Sequence, residues 1–279
     1  MPITNLVDLN VSSDSIGNSE DNEGSVVFPS ASILVRQAEQ LYEAQCPEEA
    51  HRVARQAYAI DQYDSRGVLI YIACMVDLGL KTELFYLGHK LANSSPKSAL
   101  TWYAIGCYYW CCNKLELSQK YLNKATKIDK RFAKAWIVLG HVLAAQEESD
   151  NGISAFRTAS RLLPGDHRPL VYMARELVRT NNLSLALILL LDAIKISPKD
   201  AIVLNEIGVV YLKLDRFSEA ASHLETAANL VHSSRTGEPL SFGKKGFGAE
   251  VHLYYYNIIL YFYYCLYISY LFSFLRIDF

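Results

Sequence analysis

The sequence lacks an excess of charge of either sign, since 27 basic and 29 acidic residues give a formal net charge of −2. A basic surface for nucleic acid is therefore not indicated. The N-terminus has no basic segment followed by an apolar run, so it does not resemble a signal peptide. The six cysteines are scattered rather than grouped in a short disulfide framework. This favours a reducing compartment, and we expect the nucleus and cytoplasm.

The sequence also lacks a recognisable catalytic motif. No serine lies in a nucleophile elbow. The glycine-rich run GKKGFG at 243–248 follows no predicted strand, as a phosphate-binding loop would. We therefore predict that the protein is not an enzyme and has no cofactor.

What the sequence does have is a period of 34 residues. Trp102 and Trp136 are 34 residues apart, and so are Pro164 and Pro198. A period of 34 is the signature of the tetratricopeptide repeat (TPR), a helix–turn–helix unit that stacks on its neighbours. We predict an all-α, right-handed TPR superhelix. Its six units, without insertions or deletions, are 31–64, 65–98, 99–132, 133–166, 167–200 and 201–234.

Three positions of each unit, counted from its first residue, are expected to be small because the paired helices approach closely there. These are positions 8, 20 and 27, and fifteen of their eighteen residues are Gly, Ala or Ser, against about a quarter in ordinary proteins. The exceptions, Ile72, Leu84 and Leu91, all fall in unit two, which we expect to be degenerate or to pack differently. Large residues at position 4, such as Trp102 and Trp136, are expected to fill the holes that the small residues leave.

The ends of the helices are also periodic. Proline cannot continue a helix, so the prolines predict where second helices end. Asparagine and aspartate are typical of tight turns and predict the reversals inside the units. The residues concerned are Pro96, Pro164 and Pro198 for the helix ends, and Asn113, Asn181 and Asp215 for the turns.

The concave side of the array is the candidate binding surface, because positions 2, 5, 9, 12 and 13 of each first helix face the groove in TPR arrays. Unit three has an apolar and aromatic wall there, and unit five has a row of three arginines. An extended or helical peptide with aromatic anchors and acidic flanks would suit this groove. The alternative is that the arginines are only a solvated face. The candidate residues are Tyr103, Trp110, Lys134, His141, Arg168, Arg175, Arg179, Asn205 and Lys213.

A zinc site is a further alternative for part of this wall. Cys107 and Cys111 are one helical turn apart, and His141 occupies the position in unit four that Cys107 has in unit three. Cysteine also packs well between helices as a small apolar residue. We favour packing and predict no metal site.

Three segments lie outside the repeats. Residues 1–30 read as a disordered acidic leader, 235–250 as a linker and 251–279 as an apolar tail. Residues 251–275 contain no Asp, Glu, Lys or Arg and are long enough to span a bilayer. The eight tyrosines of the tail are unusual for a membrane helix, because each hydroxyl needs a partner in lipid. A membrane segment and translation of AT-rich non-coding sequence both remain open, and the composition favours the second.

Several strings are more specific than the period. They include TWYAIGCYYW (101–110), LGHVLAAQEESDNGISAF (139–156) and NEIGVVY (205–211). With these strings, residues 66–232 resemble the cell division cycle protein sixteen subunit of the anaphase-promoting complex, or cyclosome. The resemblance is weaker over 31–65.

The resemblance implies a role rather than a reaction. Members of this family are non-catalytic scaffolds in a cell-cycle ubiquitin ligase that acts in mitosis, and they stack on the other TPR subunits of the complex. Family members are longer, with repeats on both sides of this segment, so we expect a partial copy. Dimerisation through N-terminal repeats and binding of the small stabilising subunit by C-terminal repeats are therefore doubtful here. The alternative function is a membrane-anchored TPR adaptor that binds a peptide partner in its groove.

Overall fold

The computed structural model describes residues 30–44 and 46–236, with side chains up to residue 231. The predicted linker from residue 237 onwards, the apolar tail, the glycine-rich run and all but the last residue of the leader lie outside these ranges, while residues 235 and 236 belong to the last helix. The described part contains twelve α-helices and no strand. They are α1 (Ala31–Glu43), α2 (Pro47–Ile60), α3 (Ser65–Asp77), α4 (Lys81–Ser94), α5 (Ala99–Cys111), α6 (Leu115–Ile128), α7 (Ala133–Ala145), α8 (Ser149–Leu162), α9 (Arg168–Arg179), α10 (Leu183–Ile196), α11 (Ala201–Lys213) and α12 (Phe217–Thr236).

The helices form consecutive antiparallel pairs. First helices begin at residues 31, 65, 99, 133, 168 and 201, and second helices at 47, 81, 115, 149, 183 and 217. Close packing joins helices that are adjacent in the chain, with smaller contacts between successive first helices such as α1 and α3. This is the stacking expected of a solenoid. The predicted all-α TPR fold class is confirmed.

The turns inside units two to six each reverse the chain through one residue with positive φ. Asn113, Asn181 and Asp215, which the sequence predicts as turn residues, have φ of 56°, 61° and 58°. Gly79 (64°) and Glu147 (66°) occupy the same repeat position, 15, in units two and four. Asparagine, aspartate and glycine tolerate this left-handed conformation, whereas glutamate does so at a cost. The five turns therefore share one backbone geometry despite different residues.

The helix ends agree with the proline pattern. Helices α4, α8 and α10 each end two residues before Pro96, Pro164 and Pro198 respectively. At their starts, α3, α5 and α11 are capped by side chains of Asp64, Ser98 and Asp200, which accept hydrogen bonds from backbone N–H groups of the first turn. Such caps satisfy amides that have no partner inside the helix.

Glycines at position 8 let the two helices of a unit pack closely. A Cβ atom added at Gly140 would lie 2.5 Å from the Phe156 ring, and one at Gly208 would lie 2.6 Å from Leu224. The tryptophans do not fill these holes, contrary to the prediction. Trp136 is only half-buried and its indole Nε1 donates a hydrogen bond to the carbonyl of Lys130 at 3.0 Å. This hydrogen bond holds the indole ring of Trp136 next to the loop that precedes α7.

Unit two packs differently, as its large residues suggest. Ile72 and Leu84 are fully buried, and α3 and α4 approach each other less closely than the helix pairs of the other units. Gly88, at position 24 of this unit, is not tightly packed, because a Cβ atom there would make an ordinary 3.4 Å contact with Ile105 of α5. In this unit α4 packs more extensively on α5 than on α3.

None of the helices in the described part of the chain is long and apolar enough to cross a bilayer. The predicted tail at 251–279 is outside it.

Candidate protein-binding groove

The first helices of units one to five surround a cavity of about 650 Å³ on the concave side. Its wall is mostly apolar and aromatic, with charged residues among the lining. Six of the nine residues predicted from the sequence line it. They are Tyr103, Trp110, Lys134, His141, Arg168 and Arg175.

The other three candidates do not line the cavity. Arg179 donates to the carbonyl of Ala144 at 2.9 Å and to the Ser149 hydroxyl at 2.7 Å, so it joins unit five to unit four. Asn205 is buried (5% exposed), because its position on α11 is covered by neighbouring helices. Lys213 is exposed near the end of α11, beyond the helices that enclose the cavity.

Each arginine of unit five is ion-paired within the protein. Arg168 binds Asp166 at 2.7 Å, Arg175 binds Glu206 of α11 at 2.9 Å, and Arg179 binds Glu176. Burial alone would raise the pKa of Asp166, but hydrogen bonds from Arg168 outweigh it and lower that pKa. The row of arginines is therefore balanced by carboxylates and is neither a bare cationic surface nor merely solvated.

The middle of the cavity is lined by three tyrosines and by the carboxyl group of Asp77. Burial raises the pKa of Tyr42, Tyr103 and Tyr172 above the usual value, so their hydroxyls stay protonated at neutral pH. Burial also raises the pKa of the Asp77 carboxyl, although a hydrogen bond from Tyr42 opposes the shift. Hydroxyl groups donate and accept hydrogen bonds, so the middle of the cavity suits the backbone of an inserted peptide.

His141 forms part of the wall as a neutral imidazole. Burial first, and then the Arg175 charge, lower its pKa to about 4. Its ring packs edge-on against Tyr172 at a centroid distance of 4.4 Å and against Phe156 at 5.0 Å. His141 therefore presents an aromatic surface rather than a charge at neutral pH.

Lys134 supplies positive charge at the rim. It lies on α7, and its pKa is lowered by desolvation and then by Arg168, while Asp166, and then Glu39 and Glu43 of α1, oppose the shift. The carboxylates of α1 thus influence a lysine three repeats further along the chain. The superhelix curves enough for the first helix to face the fourth unit across the cavity.

The sequence analysis did not consider the groove residues of units one and two. Tyr42 and Asp77 line the cavity, together with Glu39, Glu43 and Arg66. All five occupy repeat positions 2, 9, 12 or 13. Extending the same positional rule to these units would have found them. Glu39, Glu43 and Asp77 add carboxyl groups to the cavity lining, and Glu39 is ion-paired with Arg66 at 2.7 Å.

Cys107 and Cys111 of α5 pack in the hydrophobic core and also form part of the cavity wall. Cys107 is fully buried, and burial raises its pKa and raises that of Cys111 to about 12, so both thiols are protonated at neutral pH. Zinc is bound by thiolates. Within residues 30–44 and 46–236, no three His, Cys, Asp or Glu side chains are grouped as metal ligands.

Pairs of helices that repeat every 34 residues around a concave, peptide-sized cavity are typical of tetratricopeptide-repeat proteins. The family model of the tetratricopeptide repeat matches residues 99–132, which are unit three. The twelve helices between residues 31 and 236 thus have the tetratricopeptide-repeat fold.

Within that class, the predicted resemblance to subunits of the anaphase-promoting complex is confirmed. The chain is 37% identical over 180 residues to the anaphase-promoting complex subunit CDC16 of Saccharomyces cerevisiae. It is 38% identical over 176 residues to anaphase-promoting complex subunit 6 of Arabidopsis thaliana, and each match covers 63% of this chain. A crystal structure of the anaphase-promoting complex hetero-tetramer Cut9–Hcn1 matches with a TM-score of 0.66 and 29% identity. That match covers 72% of this chain and 38% of the other.

The chain spans only part of these relatives. It covers 21% of the length of the yeast protein and 32% of the length of the Arabidopsis protein.

Proposed function

We propose that this chain is a non-catalytic TPR scaffold subunit of the anaphase-promoting complex and acts in the nucleus and cytoplasm during mitosis. The observation that carries the proposal is the similarity to subunits of that complex from yeast and plant, at 37% identity over 180 residues and 38% identity over 176 residues. The groove supports a binding role, because its wall offers aromatic surface and hydrogen-bonding groups.

The partners proposed are the other TPR subunits of the complex. A segment of one of them would place apolar or aromatic side chains between Tyr103, Trp110 and Tyr172, and backbone groups against the tyrosine hydroxyls. Lys134 would attract an acidic flank of the segment. The paired arginines would contribute less charge than their number suggests, because carboxylates already bind them.

Affinity purification of the tagged full chain from dividing cells tests the scaffold role. We expect the cullin-type and RING-type ligase subunits to co-purify with it at stoichiometric levels. Recovery of the chain without either subunit would contradict the proposal.

The contribution of the groove is tested separately by charge reversal at the rim. Lys134→Glu should reduce the recovery of the other TPR subunits, because it replaces an exposed cation of the groove with an anion. Lys120→Glu is the matched control, since Lys120 is also exposed but lies on second helix α6, away from the cavity lining. Equal recovery with both variants would place the interface elsewhere on the chain.

A further inference from the structure

Helix α10 exposes apolar side chains on its outward, convex face. Leu185 is 48% exposed, Ile188 is 55% exposed and Leu191 is 37% exposed. We call these three residues the α10 patch. They are spaced three residues apart over about two helical turns, so they lie along one side of the helix.

The α10 patch is unusual when compared with the same positions of the other repeats. Its members occupy repeat positions 19, 22 and 25, which are polar in the other five second helices except at Leu117 and Tyr86. Only α10 has an apolar residue at all three. The residues in order of unit are Glu49, Glu83, Leu117, Asn151, Leu185 and Glu219 at position 19; Arg52, Tyr86, Lys120, Ser154, Ile188 and Ser222 at position 22; and Arg55, His89, Asn123, Arg157, Leu191 and Glu225 at position 25.

The fold of unit five does not require the patch. The inward side of α10 is already supplied by Ala186, Leu190 and Ala193, all fully buried. A helix at a protein surface normally pairs one apolar face with one polar face, whereas a helix that is apolar all round is buried. Exposed apolar residues grouped in this way mark interaction sites. Something outside the described chain is therefore expected to cover α10.

Charges beside the patch indicate what covers it. The second helices on either side in the array are α8 and α12. On the outward face of α8, Arg157 and Arg161 are exposed. On that of α12 lie Glu225 and Glu219, the latter bound to Arg216. The apolar strip thus has a basic edge on one side and an acidic edge on the other.

We propose that the α10 patch docks an amphipathic helix of a partner protein. The apolar face of that helix would carry anchors at i, i+3 or i+4, and i+7. One of its edges would be acidic and would face Arg157 and Arg161, and the other would be basic and would face Glu225. Charged edges that flank an apolar seam select the partner in the same way in paired helices elsewhere. This surface is separate from the concave groove and does not depend on the function proposed for it.

A synthetic helix tests the chemistry of the site directly. The probe is a fluorescent peptide of about 18 residues, long enough to hold helical structure, with a leucine stripe, glutamates along one edge and lysines along the other. Two control peptides keep the leucine stripe but carry only lysines or only glutamates on both edges. Exchanging the two edges is not a useful control, because a helix that binds in the reverse direction restores the match. We expect the mixed-edge peptide to bind the full chain at least about fivefold more tightly than either control.

Substitutions in the chain show whether the peptide binds at the α10 patch. The triple variant L185E/I188R/L191R introduces the residues that α2 carries at the same positions, so the fold is expected to accept them. It should weaken binding of the mixed-edge peptide by at least about tenfold. Leu117→Glu, a single change at position 19 of α6, is the control and should change binding by less than about twofold. Circular dichroism verifies folding, and Ile188→Arg alone replaces the triple variant if that variant does not fold.

Four results would overturn the proposal. The peptide fails to saturate the chain at about 1 mM, or it binds the folded α10 variant as well as the parent. The parent sediments as a dimer that the α10 variant abolishes, which would make a second copy the occupant. Deletion of residues 237–279 creates peptide binding that the full chain lacks, which would make that segment the occupant.

Discussion

Replacing Gly140 by alanine should destabilise the array, although alanine is the better helix former. An alanine in place of glycine inside a helix gains about 1 kcal/mol. At this position the new methyl group would lie 2.5 to 2.8 Å from three atoms of the Phe156 ring. An aromatic ring is stiff, and Phe156 is itself packed against His141 and Tyr172, so α7 and α8 would have to separate. Overpacking of this kind typically costs about 1–3 kcal/mol. We expect a net loss of up to about 2 kcal/mol, or a Tm lower by up to about 8 °C.

A second substitution should restore part of this loss. Unit five has Ala174 where unit four has Gly140, and it has Leu190 where unit four has Phe156. Leu190 and Ala174 are both buried, so this pair is accommodated by the fold. Phe156→Leu alone should cost about 1 kcal/mol through lost ring packing. Combined with Gly140→Ala, it should cost at least about 0.5 kcal/mol less than the sum of the single changes.

The assay is urea and thermal denaturation followed by circular dichroism, with amide exchange to locate the loosened helices in α7 and α8. Gly88→Ala is the matched control, because its new methyl group would make only a 3.4 Å contact with Ile105. It should be neutral or should stabilise the protein by up to about 1 kcal/mol. If Gly140→Ala stabilises the chain as Gly88→Ala does, the close α7–α8 packing described above is wrong.

Three further predictions concern the wall and the joints of the array. His141 has a pKa of about 4 in the folded protein, against 6.5 ordinarily, so protonation of its ring favours the unfolded chain. The free energy of unfolding should therefore fall by up to about 3 kcal/mol between pH 6.5 and pH 4. The variant His141→Gln should flatten that part of a pH–stability profile. The ion pair between Arg175 and Glu206 is partly exposed, so a double-mutant cycle with glutamine at each site should measure a coupling free energy of about 0.5–1 kcal/mol. A value near zero would mean that this ion pair does not stabilise the contact between units five and six. Trp136→Phe should cost about 0.5–1.5 kcal/mol in chemical denaturation by removing the hydrogen bond to the Lys130 carbonyl, and no loss would mean that this bond contributes nothing in solution.

The fold could be predicted from the sequence because one short unit recurs. A single helical repeat is weak evidence, but six in register place helix ends, turns and small residues together. Glu147 shows where this reasoning stops. It takes the left-handed turn position although glutamate is not a turn residue, and only its spacing from Asn113 and Asn181 indicates the role. Residue type alone therefore does not identify Glu147 as a turn residue, because the geometry of the helical hairpin, and not the side chain, requires the left-handed conformation there.

The groove could be predicted in part. Its location and six of its residues follow from repeat positions, because these fix which face of a first helix points inward. The charge of the groove does not follow. The partner of Arg175 is Glu206, 31 residues away on another helix, and that of Arg179 includes a backbone carbonyl of the preceding unit. Such pairings depend on the rotation between successive repeats, which the periodic pattern leaves undetermined.

The restriction of close packing to neighbouring helices has a consequence for how the chain is made. Each helical hairpin closes within about 30 residues, so the entropy lost in forming it is small and its formation is fast. A ribosome releases the chain from the N-terminus, and α1 and α2 have both emerged long before α11 is translated. Every new hairpin then finds a completed surface to stack on. Synthesis and folding of this array can therefore proceed in the same direction and at the same pace, one repeat after another.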